Sequence, residues 1–312
     1  MTHLQVLERP TLRRPVLLLA FSGWVDGGEV ATSAIRFLIE HWDAKKFVEL
    51  DPEEFYNFTR VRPKVQLEPD FTRTLTWPET AFYYHADPLL DRDFVLLLGI
   101  EPNFKWRTFS DELLQVCQSV GVASALSLGG VLADVLHTRR AQITTFSSDP
   151  ELIARFPELG RRRGGYHGPT GIIGVFSDGL TRSSIPVGNM RGAVPHYIGG
   201  SPNPKVTRAL LARLSQLYGL GLDLSELEDA SRRFERQVNE ALTHMPEAAD
   251  HVKRLEASIE DPEPRTEVGD TEAAHGAGTE LPNAEDIVRE FEELLRERST
   301  GEEDEPTTGP TT

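Results

Sequence analysis

The stretch that decides the fold is VLLLAFSGWVDGG, residues 16–28, together with the fourteen residues that follow it. Its apolar run, Val16–Phe21, lies between Pro15 and Gly23. Such a short, uninterrupted run is typical of a strand that is buried on both faces. Over residues 29–42 the apolar residues recur every three or four positions, which predicts an amphipathic helix. The opening of the chain therefore predicts a strand, a glycine-rich turn and a helix.

Two further apolar runs repeat the pattern of a buried strand, Phe94–Ile100 and Val122–Leu128. A helix is predicted between them over Thr108–Val120, with Ser110 as its N-cap. Strands that alternate with helices favour an α/β domain with a largely parallel sheet flanked by helices.

Residues 55–85 differ from this alternation, because they are rich in aromatic and β-branched residues and contain three prolines. Three short segments alternate between apolar and polar residues, namely Lys64–Glu68, Thr72–Trp77 and Ala81–His85. Alternation of this kind predicts half-buried antiparallel strands. We expect them to form one meander inserted at an edge of the sheet.

The composition changes after Gly221 and divides the rest of the chain. Two helical patterns separated by Pro246 predict a small helical appendage, and a later helical stripe contains Ile287, Val288, Phe291, Leu294 and Leu295. The residues between them show no apolar periodicity, which is typical of a disordered linker. The predicted organisation is an α/β core at 1–221, a helical appendage at 222–260, a disordered acidic linker at 261–282, an amphipathic docking helix at 283–299 and a disordered acidic tail at 300–312.

The net charge of −16 lies mostly in the C-terminal region. Residues 261–312 hold 16 acidic and 4 basic residues, so they carry −12 of it. Phosphate-backbone binding depends on Lys and Arg, so nucleic acid is not an expected partner. The single Cys117 favours a reducing compartment, and no apolar run approaches the roughly 20 residues that cross a bilayer. We therefore expect a cytoplasmic protein without a membrane partner.

The loop after the first strand is the first candidate ligand site, through Gly23, Trp24, Asp26, Gly27 and Gly28. Parallel sheets bind ligands beyond the carboxyl ends of their strands and at helix N-termini. The loop has neither the Gly-x-Gly-x-x-Gly spacing of dinucleotide sites nor the Lys of a P-loop. Its acidic residues, which include Glu29, favour a structural role at the start of the helix, and a ligand role is the alternative.

A second candidate site follows the arginine run Arg161–Arg163. Guanidinium groups and loop amides bind anions, which makes Arg163, Gly164, His167 and Gly168 candidate ligand-binding residues. Three adjacent arginines cannot all face one site. A solvated loop or a contact between subunits is therefore the favoured interpretation.

The sequence contains no recognisable catalytic or metal-binding set. The nine histidines form no HxH or HxxxH pair, and Cys117 lies on the apolar face of its predicted helix. Ser127 lacks the glycine two positions earlier that a nucleophile elbow requires. We expect no metal and no cofactor, name no catalytic residue, and leave an enzymatic activity open but disfavoured.

Four segments together resemble the proteasome assembly chaperone family of the second type, in its bacterial and actinobacterial branch. They are GWVDGG at 23–28, GYHGPTGIIG at 165–174, VPHYI at 194–198 and PNPKVTRALLARL at 202–214. The similarity runs from about Val16 through Leu255, and the LPNAEDIVREFEELLR stretch at 281–296 is also similar to actinobacterial members.

This resemblance implies an α/β domain similar to the nucleoside phosphorylase fold, self-association as a homotrimer, and a role in proteasome biogenesis. The leading hypothesis is therefore a non-catalytic, homo-oligomeric chaperone or adaptor with proteasome subunits as partners. The alternative is a binder of, or enzyme acting on, a nucleoside or a phosphorylated metabolite, which would use the loop after the first strand. A third hypothesis is a scaffold whose C-terminal helix recruits a partner.

Overall fold

The computed structural model describes residues 3–67, 72–147, 149–155, 160–161 and 167–258. The strands in these ranges are β1 (Leu4–Val6), β2 (Val16–Ser22), β3 (Lys45–Leu50), β4 (Lys64–Leu67), β5 (Arg73–Thr76), β6 (Thr80–His85), β7 (Phe94–Ile100), β8 (Ser124–Ala133), β9 (Ile143–Ser147), β10 (Gly160–Arg161) and β11 (Val187–Pro195). The α-helices are α1 (Val30–His41), α2 (Trp106–Ser119), α3 (Pro150–Arg155), α4 (Ile172–Arg182), α5 (Pro204–Tyr218), α6 (Ser225–His244) and α7 (Pro246–Ser258), and two short 3-10 helices span Gly27–Glu29 and His196–Ile198.

One large sheet organises the described part of the chain, in the strand order β1-β3-β6-β7-β2-β8-β11-β9-β10. The four central strands, β7, β2, β8 and β11, are parallel to one another. Antiparallel pairs flank them, with β1, β3 and β6 on one side and β9 on the other. The predicted α/β fold with a largely parallel sheet is confirmed, and its parallel part is the centre of the sheet.

The central strand β2 is buried on both faces, as its apolar run predicts. Val16–Ala20 are each 0% exposed. Leu17 and Leu19 pack on one face of the sheet with residues of α2 and α4, whereas Leu18 and Ala20 pack on the other with residues of α1 and α5. Helices therefore cover both faces, which is why residues 16–21 of this strand include no polar side chain.

The predicted meander at residues 64–85 is divided in the structure. Its third strand, β6, pairs with both β3 and β7 and is part of the main sheet. Its first two strands, β4 and β5, instead form a separate two-stranded sheet. The expected single meander at the sheet edge is therefore wrong, because β6 is apolar enough to be buried and the side chains of β4 and β5 are all exposed.

The start of α2 is the second difference. The helix begins at Trp106, and Ser110, the expected N-cap, lies inside it with 5% exposure. The indole Nε1 of Trp106 donates to the carbonyl of Pro102 at 2.7 Å, and Phe109 is completely buried. Tertiary packing thus extends the helix by about one turn before the serine, whose local propensity cannot distinguish a cap from a helical position.

The helical appendage is confirmed as α6 and α7. A small apolar cluster joins it to the core, through Phe234, Val238 and Val252 on the appendage and Leu136 and Ile198 on the core. The predicted linker, amphipathic helix and tail at 261–312 lie outside the described residues. In the described ranges no helix combines the length and the apolar character needed to cross a bilayer.

Candidate functional site

The loop Gly23–Gly28 lies at the carboxyl edge of the parallel strands, as predicted from its position after β2. Val25 accepts a hydrogen bond at its carbonyl from the amide of Gly130 at 2.8 Å, and Asp26 forms a parallel bridge with Gly130. The loop therefore extends the pairing between β2 and β8 beyond the end of the regular sheet.

Asp26 caps the N-terminus of α1. Its Oδ1 accepts hydrogen bonds from the amides of Ala31 at 2.9 Å and Thr32 at 3.2 Å, and its Oδ2 accepts from the Thr32 hydroxyl at 2.5 Å. Burial raises the pKa of Asp26 to about 6, although the hydrogen bonds from Thr32 and Ala31 act in the opposite direction. The carboxyl group supplies the acceptor that the free amides of a helix start require.

Glu101 occupies the N-terminus of α4 in the same way. This residue directly follows β7, and its Oε1 accepts from the amide of Ile172 at 2.8 Å. Its Oε2 lies 3.4 Å from the amide nitrogen of Trp24, which ties it to the loop as well. The amides of Ala31 and Thr32 in α1 and of Ile172 in α4 thus already bind carboxylates of the same chain.

The glycines of the loop permit close approach of backbones. Gly28 has a φ of 62°, donates to the carbonyl of Gly199 at 2.7 Å and accepts from the amide of Asn203 at 2.8 Å. A Cβ added at Gly130 would lie 2.2 Å from the carbonyl oxygen of Gly27. A Cβ at Gly28 would lie 3.1 Å from the Cβ of Asn203. Because a side chain at Gly130 would collide with the backbone of Gly27, and Gly28 has a positive φ in a crowded position, these glycines have a packing role.

Among the first five candidate ligand residues, Asp26 and Gly28 are buried, Trp24 and Gly27 are half-buried and Gly23 is exposed. Gly23 has a φ of 142°, and a Cβ there would lie 2.8 Å from the Cβ of Glu101. The structure brings all five together between the ends of β2, β7 and β8.

The second set of candidates is described only in part. His167 and Gly168 are exposed, whereas Arg163 and Gly164 lie outside the described residues. Gly171, at the N-cap of α4, lies beside Trp24, since a Cβ on Gly171 would be 3.5 Å from the indole ring. The end of the second loop therefore reaches the first loop at this point.

Arg191 forms a buried polar cluster between β8 and β11 that the sequence patterns did not predict. The guanidinium of Arg191, which is 6% exposed, donates to the carbonyl and the hydroxyl of Ser127 and to Oδ1 of Asn189, each at 3.1 Å. Arg191 pairs with Gly129, and its Cδ occupies the space that a Cβ there would need. The polar residues Ser127, Asn189 and Arg191 within two mostly apolar strands were the available signal, but only the register shows that they meet.

A second unpredicted network joins the core to the appendage. His137 shares a hydrogen bond of 2.8 Å with the Tyr197 hydroxyl and one of 3.0 Å with Oδ1 of Asn239 on α6. The Nε2 atoms of His196 and His251 are 3.1 Å apart. Burial lowers the pKa of His137, and burial and His196 both lower the pKa of His251. These histidines form hydrogen bonds at the interface between the core and the appendage.

Tyr197, whose hydroxyl forms the hydrogen bond with His137, is itself 5% exposed. Cys117 is buried, and burial raises the pKa of its thiol. Within the described ranges no group of three His, Cys, Asp or Glu side chains could hold a metal ion.

Residues 20–242 match the model of the PAC2 family. Among solved structures, a PAC2 family protein from Streptomyces avermitilis shares 37% sequence identity, with a TM-score of 0.66 over 72% of this chain and 95% of its own. A Mycobacterium tuberculosis proteasome-assembly chaperone homologue also shares 37% identity, with a TM-score of 0.66 over 76% of this chain and 99% of its own.

An archaeal proteasome activator from Pyrococcus furiosus shares the fold, at 19% identity and a TM-score of 0.60 over 76% of this chain and 97% of its own. No curated protein matches the chain.

Proposed function

Because this chain belongs to the PAC2 family, we propose that it is a non-catalytic, homo-oligomeric chaperone or adaptor that acts on proteasome subunits in the cytoplasm. The observation that carries the proposal is the 37% identity with the Mycobacterium tuberculosis proteasome-assembly chaperone homologue, which extends over 99% of that protein. Identity of this degree over a whole chain supports a shared binding role more strongly than a shared fold alone.

The geometry at the carboxyl edge of the sheet supports a non-catalytic role. The two carboxylates at this edge, Asp26 and Glu101, accept hydrogen bonds from helix N-termini and therefore hold the loop in place. Cys117 is buried, so its thiol is not available as a nucleophile. The self-association proposed here is the trimer that the sequence resemblance implies.

The test is an assembly reaction with purified α-type and β-type proteasome subunits. We expect the protein to bind α-type subunits and to accelerate ring formation several-fold at stoichiometric concentration, as followed by native mass spectrometry. An unrelated acidic α/β protein at the same concentration is the control. Unchanged assembly kinetics together with no bound subunit would overturn the proposal. The same spectra of the protein alone give its oligomeric state, and a monomer at micromolar concentration would refute the trimer.

The binding of a nucleoside or a phosphorylated metabolite at the loop Gly23–Gly28 stays a prediction without a structural observation in its favour. Asp26 and Glu101 already accept hydrogen bonds from three of the amides at these helix starts, those of Ala31, Thr32 and Ile172. A thermal-shift screen with nucleosides, bases and inorganic phosphate tests it directly. A stabilisation that Asp26→Asn removes would establish such a site.

A further inference from the structure

The hairpin formed by β4 and β5 has one apolar face that is largely exposed, with Phe58 in contact with one end of it. In its antiparallel register Val65 pairs with Leu75 and Leu67 pairs with Arg73, so these side chains project to the same side. Trp77 continues this row one residue after β5 and contacts Phe58 edge-on, with ring centroids 5.0 Å apart. The four apolar side chains of the face are about half or more exposed: Val65 49%, Leu67 70%, Leu75 52% and Trp77 49%.

The opposite face of the hairpin is polar, with Lys64, Gln66, Thr74 and Thr76. All eight residues of the two strands are exposed, so the hairpin has water on both faces. An isolated two-stranded hairpin is marginally stable, and one with an uncovered apolar face gains stability when that face is buried. The amphipathic pattern therefore indicates that something covers the apolar side.

The size of this apolar face favours a short helix as the cover. Four partly exposed side chains amount to a few hundred Å², whereas a standard protein–protein interface buries about 800 Å² on each partner. A patch of this size is too small to hold a second copy by itself. One face of a helix of about four turns matches it, since its apolar stripe presents four or five side chains.

The chain contains such a helical pattern at residues 283–298, beyond the described residues. Its apolar stripe consists of Ile287, Val288, Phe291, Leu294 and Leu295. The charges of the two parts are complementary. Residues 283–298 hold six acidic and three basic residues, whereas residues 59–77, around the hairpin, hold four basic and two acidic residues. Opposite net charge favours this pairing and its orientation at modest ionic strength.

The linker is long enough for the segment to reach the hairpin. The last helix of the appendage ends at Ser258, and 24 residues separate it from Asn283. A flexible chain of this length has a root-mean-square span of roughly 25–30 Å. The hairpin leads into β6 at Thr80, beside the carboxyl end of β7, and the appendage packs on residues that follow β8 and β11. Three to four strand spacings, or roughly 15–20 Å, separate these positions along the same edge.

We propose that residues 283–298 fold as an amphipathic helix over the apolar face of the β4–β5 hairpin of the same chain. The tether holds the segment at a millimolar effective concentration, so a modest intrinsic affinity is sufficient. The helix then shields an apolar patch that would otherwise promote association. This inference does not depend on the function proposed above.

The test places a benzophenone photocrosslinker at the centre of the stripe in the full-length protein, as Phe291→p-benzoylphenylalanine. We expect a crosslink to the peptide that contains residues 62–77, in a product that keeps the mass of one chain on a denaturing gel. The matched control carries the same group as Arg289→p-benzoylphenylalanine, on the opposite helical face, and should crosslink at least several-fold less to that peptide. A product with the mass of two chains, or crosslinks to other regions only, would overturn the proposal.

Hydrogen exchange on substituted full-length chains gives an independent measurement. Phe291→Asp places a charge in the stripe and should speed exchange of the hairpin amides at 64–67 and 73–76 several-fold. Arg289→Gln changes the net charge by the same amount on the polar face and should leave their exchange as in the wild type. Equal exchange in the two variants and the wild type would contradict docking on this surface.

Discussion

The loop Gly23–Gly28 and the β4–β5 hairpin lie at the same edge of the sheet, but they differ in how far their side chains and backbone groups are in contact with the rest of the fold. The loop resembles a ligand site in sequence, yet its carboxylate and its glycines contact neighbouring backbone. The hairpin contains no ligand-binding motif, yet its apolar side chains are about half or more exposed. Packing thus explains the glycine-rich loop after this parallel strand, whereas the exposed apolar side chains lie on an ordinary pair of strands.

The largest effect is expected where the loop is most tightly packed, at Gly130. Gly130→Ala places a Cβ 2.2 Å from the carbonyl oxygen of Gly27 and 2.5 Å from a methyl group of Val30. Because backbone must shift to relieve the collision, we expect a loss of at least about 3 kcal/mol in the free energy of unfolding, measured by urea denaturation. The matched control is Gly179→Ala, whose Cβ would meet its nearest atom at 3.5 Å in α4. That change should stabilise by up to about 1 kcal/mol. Similar losses in the two variants would contradict the close packing of the loop.

The next effect concerns the pH dependence that Asp26 contributes. Its folded pKa of about 6 lies above the ordinary value, so its stabilising contribution is present below about pH 4 and is lost as the pH rises through 6. Asp26→Asn retains an oxygen for the amides of Ala31 and Thr32 but does not titrate. Between pH 4 and pH 7 we expect the wild type to lose up to about 3 kcal/mol relative to this variant. Urea denaturation at several pH values measures the difference, and a difference that stays constant with pH would refute the buried, titrating cap.

A smaller effect is expected at Glu101, because it caps a helix from a half-buried position. Glu101→Ala leaves the amide of Ile172 without this acceptor, and we expect a loss of about 1–2 kcal/mol in chemical denaturation. Glu101→Gln keeps an acceptor oxygen and should recover at least half of that loss. If the two variants were equally destabilised, the carboxylate would not be acting as a cap.

The smallest effect on stability is expected on the hairpin. Leu67 is 70% exposed, so Leu67→Lys should change the free energy of global unfolding by less than about 0.5 kcal/mol. The same change should reduce the crosslinking from position 291 several-fold, because it places a charge in the apolar face. Gln66→Lys, on the polar face, is the control and should leave that crosslinking unchanged. A large loss of stability in Leu67→Lys would show that the face is packed within the folded core.

Sequence patterns predicted most of the fold, because the buried face of a helix or strand requires apolar residues at a regular spacing along the chain. The uninterrupted run Val16–Phe21 indicated a strand covered on both sides, and the stripes of α1 and α6 indicated one packed face each. The loop after β2 was also placed at the correct edge. Its acids were expected at the start of a helix, and Asp26 caps α1.

The errors and omissions arose where the outcome depends on contacts between distant segments. Ser110 has the propensity of a cap, but the burial of Phe109 moves the start of α2 to Trp106. The meander divides because β6 finds partners in β3 and β7, whereas β4 pairs only with β5 in the described residues.

The sequence by itself determined the element types, the buried central strands and the change of composition after the core, because apolar periodicity and charge are local properties of the chain. Only the tertiary structure decided what the candidate residues do. Glu101 is an ordinary carboxylate in sequence and becomes a helix cap because the end of β7 meets the start of α4. Arg191 meets Ser127, and Tyr197 meets His137, across more than 59 residues of chain. The apolar face of the hairpin is visible only once the register of β4 and β5 is known, since strand pairing sets which side chains share a face.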